Sequence, residues 1–198
     1  MLVKWCDRGH LRWRGDRKDL AVTTVVLRST DLTLRPWEQG DAGVLAALAD
    51  DEEVRRWTSH RVAGLQDAVR WIATQEAGWE SGKRLSFAIL MTGRVVGHIV
   101  LKQSGGETRG EVGYWTGASA RGLGVASRAV ELLTTWAFDT RTEVGLSRLE
   151  LIHNAGNPAS CRVAQKAGYT LESVLPPRAP HEAEGHLHAR ERSTVHLS

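Results

Sequence analysis

The chain has 198 residues, 41% of them hydrophobic and 25% charged, and a formal net charge of +3 at pH 7. This length and composition are those of a single globular domain. No apolar run reaches the length of about 18 residues that a membrane span needs, and the N-terminus lacks the apolar stretch of a signal peptide. We therefore expect a cytoplasmic protein that does not associate with membranes.

The N-terminal segment is basic and contains two tryptophans, Trp5 and Trp13. Basic residues interleaved with aromatic ones can contact single-stranded nucleic acid. A poorly ordered extension is the simpler interpretation, and the modest net charge permits nucleic-acid binding without favouring it.

The first third of the folded part predicts one strand followed by helices. Leu32 and Leu34 alternate as in a strand, and Asp41 is a suitable N-cap for the helix that follows. DDEEVRRWTSH predicts a short helix or turn, and apolar residues then recur at helical spacing from Leu65 to Trp79. We interpret the tryptophans of that helix as packing residues.

Strands and helices alternate in the rest of the chain. Thr92 and Gly93 separate two β-rich runs as in a hairpin, and EVGYWTG is a third strand. A helix and the strand LSRLELIHN come next. The following helix has Asn157 as N-cap, Pro158 in its first turn and Gly168 at its exit. YTLESVL and RERSTVHLS are expected to close a mixed α/β domain as strands.

The loop Arg121–Ala126 joins the strand EVGYWTG to a helix. The first N–H groups of a helix lack intrahelical partners and lie at the positive end of its dipole, an arrangement that suits a phosphate. Gly122 and Gly124 permit a positive φ, and Arg121 adds a forked cation. The loop alone leaves an anion site and a plain turn equally open, because many turns contain two such glycines.

The cysteines and histidines do not predict a metal site. Cys6 and Cys161 lie far apart, which favours two free thiols over a disulfide. His186 and His188 alternate as on one strand face, with no cysteine or acidic partner nearby in the sequence. We interpret them as part of a solvated strand and expect no metal.

Taken together, the Arg-x-x-Gly-x-Ala loop after EVGYW and the later NPASCRVAQKAGY resemble the GNAT superfamily of N-acetyltransferases. The chain is most similar to the branch of ribosomal-protein N-terminal acetyltransferases, including those for N-terminal alanine, and small-molecule acetyltransferases. The resemblance covers residues 30–198 and leaves residues 1–29 as a basic extension. It implies a single α/β domain with a central, mostly antiparallel twisted sheet of about seven strands, flanked by helices and splayed between the fourth and fifth strands.

The resemblance also implies that acetyl-CoA is the co-substrate. The loop would hold its pyrophosphate, the preceding strand would pair through its backbone with the pantetheine arm, and Asn157 would contact the same arm. The implied cofactor-binding residues are Tyr114, Trp115, Thr116, Arg121, Gly122, Leu123, Gly124, Val125, Ala126, Ser127 and Asn157.

Two residues are candidates for catalysis. Glu111 matches a position where several GNAT enzymes carry a catalytic glutamate, with Glu107 a weaker choice. Many of these enzymes have a tyrosine that protonates the leaving thiolate, but this chain has Ala164 at that position. The resemblance therefore implies that the Ser160 hydroxyl hydrogen-bonds the CoA sulfur instead. We interpret Cys161 as a packed cysteine, because no histidine–acid pair is evident to activate it.

The expected activity is direct transfer of an acetyl group, in a ternary complex, to a primary amine of a peptide or protein N-terminus or of a small molecule. The alternatives are a non-catalytic CoA-binding regulatory module and an acyltransferase that uses a longer donor such as succinyl-CoA. Arg55, Arg56, Trp57 and His60 are candidates for acceptor recognition, and the sequence leaves a homodimer open.

Overall fold

A computed structural model describes residues 25–58, 62–104, 108–140, 146–177 and 182–193. Most of the predicted N-terminal extension, together with Cys6, His60 and Glu107, lies outside the described residues. Among those that are described, no helix combines the length and apolarity needed to cross a membrane.

The described residues form eight strands and five α-helices. The strands are β1 (Leu27–Arg28), β2 (Leu32–Pro36), β3 (Arg84–Met91), β4 (Arg94–Gln103), β5 (Arg109–Thr116), β6 (Arg148–Asn154), β7 (Thr170–Leu175) and β8 (Gly185–Glu191). The helices are α1 (Ala42–Ala49), α2 (Glu52–Trp57), α3 (Leu65–Glu80), α4 (Val125–Thr140) and α5 (Pro158–Lys166).

All strands belong to one sheet with the order β1-β2-β3-β4-β5-β6-β8-β7. Neighbouring strands are antiparallel except β5 and β6, which are parallel. The predicted mixed α/β fold is confirmed. The sheet has eight strands rather than about seven, because Leu27 and Arg28 pair with β2 as a short additional strand.

The predicted hairpin lies between β3 and β4. Met91 pairs with Arg94, and the two residues between them, Thr92 and Gly93, have φ values of 48° and 81°. Two central residues with positive φ characterise the type I′ turn, whose twist matches that of the strands it joins. The Thr-Gly pair is thus a correct signal for this turn.

The sheet opens between β5 and β6. The two strands pair only where Arg109–Glu111 lies beside Arg148–Glu150, and they then continue to Thr116 and Asn154 without pairing. Because β1 adds one to the count, these are the predicted fourth and fifth strands. The opening leaves backbone groups of both strands available for a ligand of extended shape.

Helices cover the sheet on both faces. One hydrophobic core packs the sheet against α4 and α5, with Leu133 and Trp136 of α4 among its buried residues. A second core lies under α1 and α3 and contains Trp37, Leu45 and Ile72. Successive strand residues point to opposite faces, so β3 supplies Phe87 to the first core and Ala88 to the second.

Trp71 and Trp79 of α3 pack as predicted. Trp79 is buried and its Nε1 donates to the Ser86 carbonyl at 2.8 Å. Trp71 packs edge-on against Trp37, with 5.4 Å between ring centroids.

Two local predictions need correction. Asp41 precedes α1, but its carboxylate binds the Arg35 guanidinium and the Glu38 N–H instead of capping that helix. The last described strand is Gly185–Glu191, which contains His186 and His188 and pairs with both β6 and β7. It begins before the predicted RERSTVHLS and overlaps it at Arg190 and Glu191, while residues 194–198 lie outside the described residues.

Candidate active site

The loop before α4 has the backbone of an anion cradle. Gly122 and Gly124 have φ values of 77° and 72°. No atom lies within 4 Å of a Cβ placed on Gly122, so backbone conformation and not space requires glycine there. Among the described residues, no backbone carbonyl accepts from the N–H groups of 122–127, and the ladder of α4 begins with Arg128 donating to Gly124. Such a run of amides is a typical anion-binding concavity.

Side chains of the loop are exposed or engaged in local contacts. Leu123 is 58% exposed, and the Ser127 hydroxyl donates to the Gly124 carbonyl at 3.0 Å. The Arg121 guanidinium forms an ion pair with Asp51, the N-cap residue of α2. Burial of Asp51 by itself raises the pKa of its carboxyl. Its hydrogen bonds to the α2 backbone and to Arg121 outweigh this effect, so the pKa is lowered. Arg121 thus links the loop to α2.

The other half of the cleft is built by the first turn of α5. The Asn157 side chain accepts from the Ser160 N–H at 3.1 Å, and Pro158 occupies the first turn, as predicted. At the other end Gly168 has a φ of 76°, and the N–H of Tyr169 donates to the Ala164 carbonyl. This Schellman-type ending fixes the length of the helix and hence the position of Ser160.

Tyr114 and Ser160 meet across the opening between the strands. Their hydroxyl oxygens are 2.7 Å apart, and Ser160 is only 9% exposed. Burial raises the pKa of Tyr114 to about 12, although the bond to Ser160 opposes this shift. Tyr114 therefore stays protonated at neutral pH. Sequence reasoning assigned Tyr114 a backbone role only, yet its same-face alternation with Val112 was a usable signal that its side chain points toward α5.

Glu111 lies on the other side of the sheet. Glu111 and Trp115 are four residues apart on β5, so their side chains point to the same face of the sheet, and Trp115 packs with the core under α1 and α3. Glu111 Oε1 accepts from Lys102 Nζ at 2.5 Å. The structure therefore does not bring the two predicted catalytic residues onto one face. Glu111 is the last β5 residue that pairs with β6, so it marks the point where the strands separate.

The interpretation of a solvated histidine strand is wrong. His188 is fully buried, and α5 places Cys161 against the β8 histidines. Cys161 Sγ lies 3.2 Å from His186 Nδ1 and 3.7 Å from His188 Nε2. His153 of β6 completes the group. The cluster could not be recognised in the sequence, because its members are separated by up to 35 residues and come together only when β6 pairs with β8 and α5 packs against them.

Of the candidate acceptor residues of α2, Arg55 and Arg56 are exposed and Trp57 is half-buried. The Arg56 guanidinium lies 4.8 Å from the centre of the Trp57 ring, Trp57 Nε1 donates to Glu53, and Arg55 pairs with Asp50. Beneath them is a small apolar pocket that sequence reasoning missed. Its lining residues are Leu45, Ala49, Val54, Thr58, Val62, Trp71 and Trp115.

Residues 31–170 match a protein-family model described as an acetyltransferase (GNAT) domain. A comparison with curated proteins gives no match.

Several solved structures share the fold. RimL, a ribosomal L7/L12 alpha-N-protein acetyltransferase in complex with coenzyme A, has a TM-score of 0.76 at 18% identity, covering 84% of this chain and 98% of that one. RimJ from Mycobacterium smegmatis in complex with CoA-disulfide has a TM-score of 0.74 at 20% identity, with coverages of 84% and 85%. MccE, a microcin C7 self-immunity acetyltransferase in complex with acetyl-CoA and AMP, has a TM-score of 0.75 at 19% identity, with coverages of 83% and 94%.

Proposed function

The chain belongs to the GNAT acetyltransferase family, and on that premise we propose that it transfers an acetyl group directly from acetyl-CoA to a primary amine. The observation that carries the proposal is the opening between β5 and β6, with an amide-lined loop at one end and Ser160 beside it. A long cofactor with a phosphate group and an amide-containing arm matches both features.

The donor would lie along the open edge of β5. Its pyrophosphate would accept hydrogen bonds from the N–H groups of 122–127, and Arg121 would exchange Asp51 for phosphate oxygens. The pantetheine arm would pair with the backbone of Tyr114–Thr116. Asn157 would donate from its amide nitrogen, because its side-chain oxygen already caps α5.

Acetyl transfer forms a C–N bond, breaks a C–S bond and needs proton transfers at both ends. The amine must lose a proton before or during attack, and the CoA thiolate must be stabilised as it leaves. Ser160 would donate its hydrogen bond to the sulfur while Tyr114, held protonated, donates to Ser160 Oγ. This arrangement directs the serine proton toward the leaving group.

Glu111 is the proposed base. It lies where β5 and β6 separate, on the face opposite Ser160. Glu111 would accept the proton of the amine from one side of the thioester, and Ser160 would donate to the sulfur from the other. An approaching ammonium group would replace Lys102 as the partner of this carboxylate. Since a lysine amine has a pKa of about 10.4 and an α-amine one of about 8, an α-amine needs less help from such a base.

The acceptor would enter over α2. Its amine would point toward Glu111, and an apolar group beside the amine would fit the pocket lined by Trp71 and Trp115. The exposed Arg55 and Arg56 would meet acidic groups farther along a peptide. A peptide or protein N-terminus with an apolar or small first residue is the acceptor that this surface supports best.

The test is release of free CoA thiol from acetyl-CoA in the presence of α-amino peptides, small amines and a lysine side-chain analogue. We expect turnover with at least one amine and faster turnover with α-amines. Succinyl-CoA in parallel reactions tests the longer donor. Tight CoA binding without turnover of any donor would contradict the proposal and support the non-catalytic module.

A further inference from the structure

Three imidazoles and one thiol converge on a single point of the sheet. His153 lies directly opposite His186 in the antiparallel pair of β6 and β8, and His188 is the next β8 residue on the same face. Cys161 enters from α5. One ligand atom from each of these four residues lies within 4.8 Å of every other. We propose that His153, Cys161, His186 and His188 form a tetrahedral Zn²⁺ site.

The distances agree with such a site. Zn–S bonds of about 2.3 Å and Zn–N bonds of about 2.0–2.1 Å place the sulfur and nitrogen ligands of a tetrahedron about 3.5 Å apart. Cys161 Sγ lies 3.2 Å from His186 Nδ1 and 3.7 Å from His188 Nε2. The His153 ring centroid is 5.2 Å from that of His188 and 5.5 Å from that of His186, and the His186 and His188 centroids are 6.3 Å apart. Imidazoles that share one tetrahedral metal have centroids about 5 Å apart, so His153 is already at that spacing from both rings, and His186 and His188 would close in by about 1 Å on binding.

His153 is already oriented as a ligand. Its Nδ1 lies 2.8 Å from the Asn154 carbonyl oxygen, which can only accept, so Nδ1 carries the proton. The lone pair is then on Nε2, which is buried and has no hydrogen-bond partner among the described residues. A histidine that ligates a metal through one nitrogen commonly donates from the other to a backbone carbonyl in this way.

The surroundings of the three imidazoles favour a metal-binding role over an ion pair or a Cys–His–acid catalytic triad. Burial lowers the pKa of His153, and the two neighbouring imidazoles lower it further. Burial also lowers the pKa of His188. Neutral imidazoles are the form that binds a metal. No carboxylate of the described residues hydrogen-bonds to any of the three rings, so the acid of a Cys–His–acid arrangement is missing there.

The ligand types select the metal. One thiolate with three imidazoles is a soft, nitrogen-rich set that fits Zn²⁺, whereas Mg²⁺ and Ca²⁺ require oxygen ligands. All four positions are filled by protein, which is typical of a structural site. The ion would join the first turn of α5 to β6 and β8, and Cys161 directly follows Ser160. It would thereby hold the turn that carries Asn157 and Ser160.

The test uses the untagged full chain, stripped with a chelator and titrated with Zn²⁺ by calorimetry. We expect one Zn²⁺ per chain, an increase of the melting temperature on binding, and thiolate-to-metal charge-transfer absorption when Co²⁺ is used instead. The variants Cys161→Ser and His186→Asn should bind Zn²⁺ at least about ten-fold more weakly. Cys161→Ser should also lose the charge-transfer band.

Matched controls are Cys6→Ser and His10→Asn in the basic N-terminal segment, which should bind like the wild type. The readout needs neither CoA nor an amine, so it is independent of acetyl transfer. Equal Zn²⁺ affinity of the wild type and Cys161→Ser, or absence of stoichiometric binding by the wild type, would overturn the proposal.

Discussion

At the scale of single residues, the hydroxyl pair of Tyr114 and Ser160 makes the sharpest prediction. Ser160→Ala should lower kcat by about 10- to 100-fold with little change in KM for acetyl-CoA, because the thiolate loses its donor only as charge develops. Tyr114→Phe should lower kcat less, since Ser160 retains its own proton. Steady-state kinetics with a saturating amine measure both effects.

Tyr169→Phe is a matched control for Tyr114→Phe. Tyr169 is the other of the two tyrosines, and its hydroxyl is bonded to Thr134 at 2.6 Å in the core, away from the cleft. It should cost stability without changing kcat. Since the pKa of Tyr114 is raised to about 12, its ionisation should add no limb to the pH profile of kcat below about pH 10. A kcat for Tyr114→Phe equal to that of Tyr169→Phe would remove Tyr114 from the mechanism.

Features of single residues were predictable from the sequence where they depend on residues nearby in the chain. Asn157, Pro158 and Gly168 were identified because caps depend on neighbours a few residues away. The partner of Tyr114 and the neighbours of Cys161 were not, because these contacts join residues 46 and 25–27 positions apart. Asp41 was predicted to cap α1, but its carboxylate binds the Arg35 guanidinium, because a charged donor binds a carboxylate more strongly than a backbone amide does.

At the scale of elements, two variants of Asn157, the N-cap of α5, distinguish a structural role of this residue from a role in acetyl-CoA binding. Asn157→Asp retains the oxygen that accepts from Ser160 N–H, so stability should stay within about 0.5 kcal/mol of the wild type. The variant loses the amide donor and gains a negative charge, so KM for acetyl-CoA should rise. Asn157→Ala removes the cap and should cost about 1 kcal/mol of unfolding free energy. Wild-type acetyl-CoA affinity in Asn157→Asp would restrict this residue to capping.

The start of α4 tests the phosphate cradle. Gly124→Asp puts a carboxylate beside the unpaired amides and should raise KM for acetyl-CoA by about ten-fold or more. Gly82→Asp is its control, because Gly82 also has a positive φ, of 68°, and open space around it in a turn after α3. The two variants should lose similar stability. Equal acetyl-CoA affinities of these variants would refute the assignment of the loop.

Element-scale prediction depended on periodicity. The hairpin and α4 carry strong local patterns, and both formed as predicted. The alternation of His186 and His188 indicated a strand, but the predicted closing strand RERSTVHLS began too late, because GHLHARE carries polar histidines where hydrophobic alternation requires apolar residues. Burial of His188 against α5 explains this exception.

At the scale of the whole molecule, the Arg121–Asp51 ion pair connects the donor loop to the acceptor side. Asp51→Asn retains an oxygen to cap α2 at Val54 N–H but releases Arg121 and removes a negative charge near the phosphates. We expect acetyl-CoA to bind a few-fold more tightly, with the difference shrinking at high salt. Calorimetry at two ionic strengths measures this.

Asp67→Asn is the control, since Asp67 likewise pairs with an arginine and accepts from a backbone amide, but at the start of α3. Its acetyl-CoA affinity should equal that of the wild type. Unchanged or weaker binding by Asp51→Asn would show that Arg121 does not exchange Asp51 for phosphate.

Architecture was predictable at this scale because several motifs occur together in one order. The strand, glycine loop and asparagine-capped helix identified the fold and the opening of its sheet. The placement of Glu111 and Ser160 on opposite faces follows from strand register, which the family resemblance did not supply. The histidine–cysteine cluster likewise required the adjacency of β6 and β8.

Mass spectrometry of a reaction with acetyl-CoA and a panel of peptide α-amines tests the central claim most directly. Direct transfer predicts one acetyl group on the amine of an accepted peptide, equimolar free CoA and no acetylated form of the protein at any time. No acetylated amine with any acceptor, or an acetyl group carried transiently on the protein, would contradict the account.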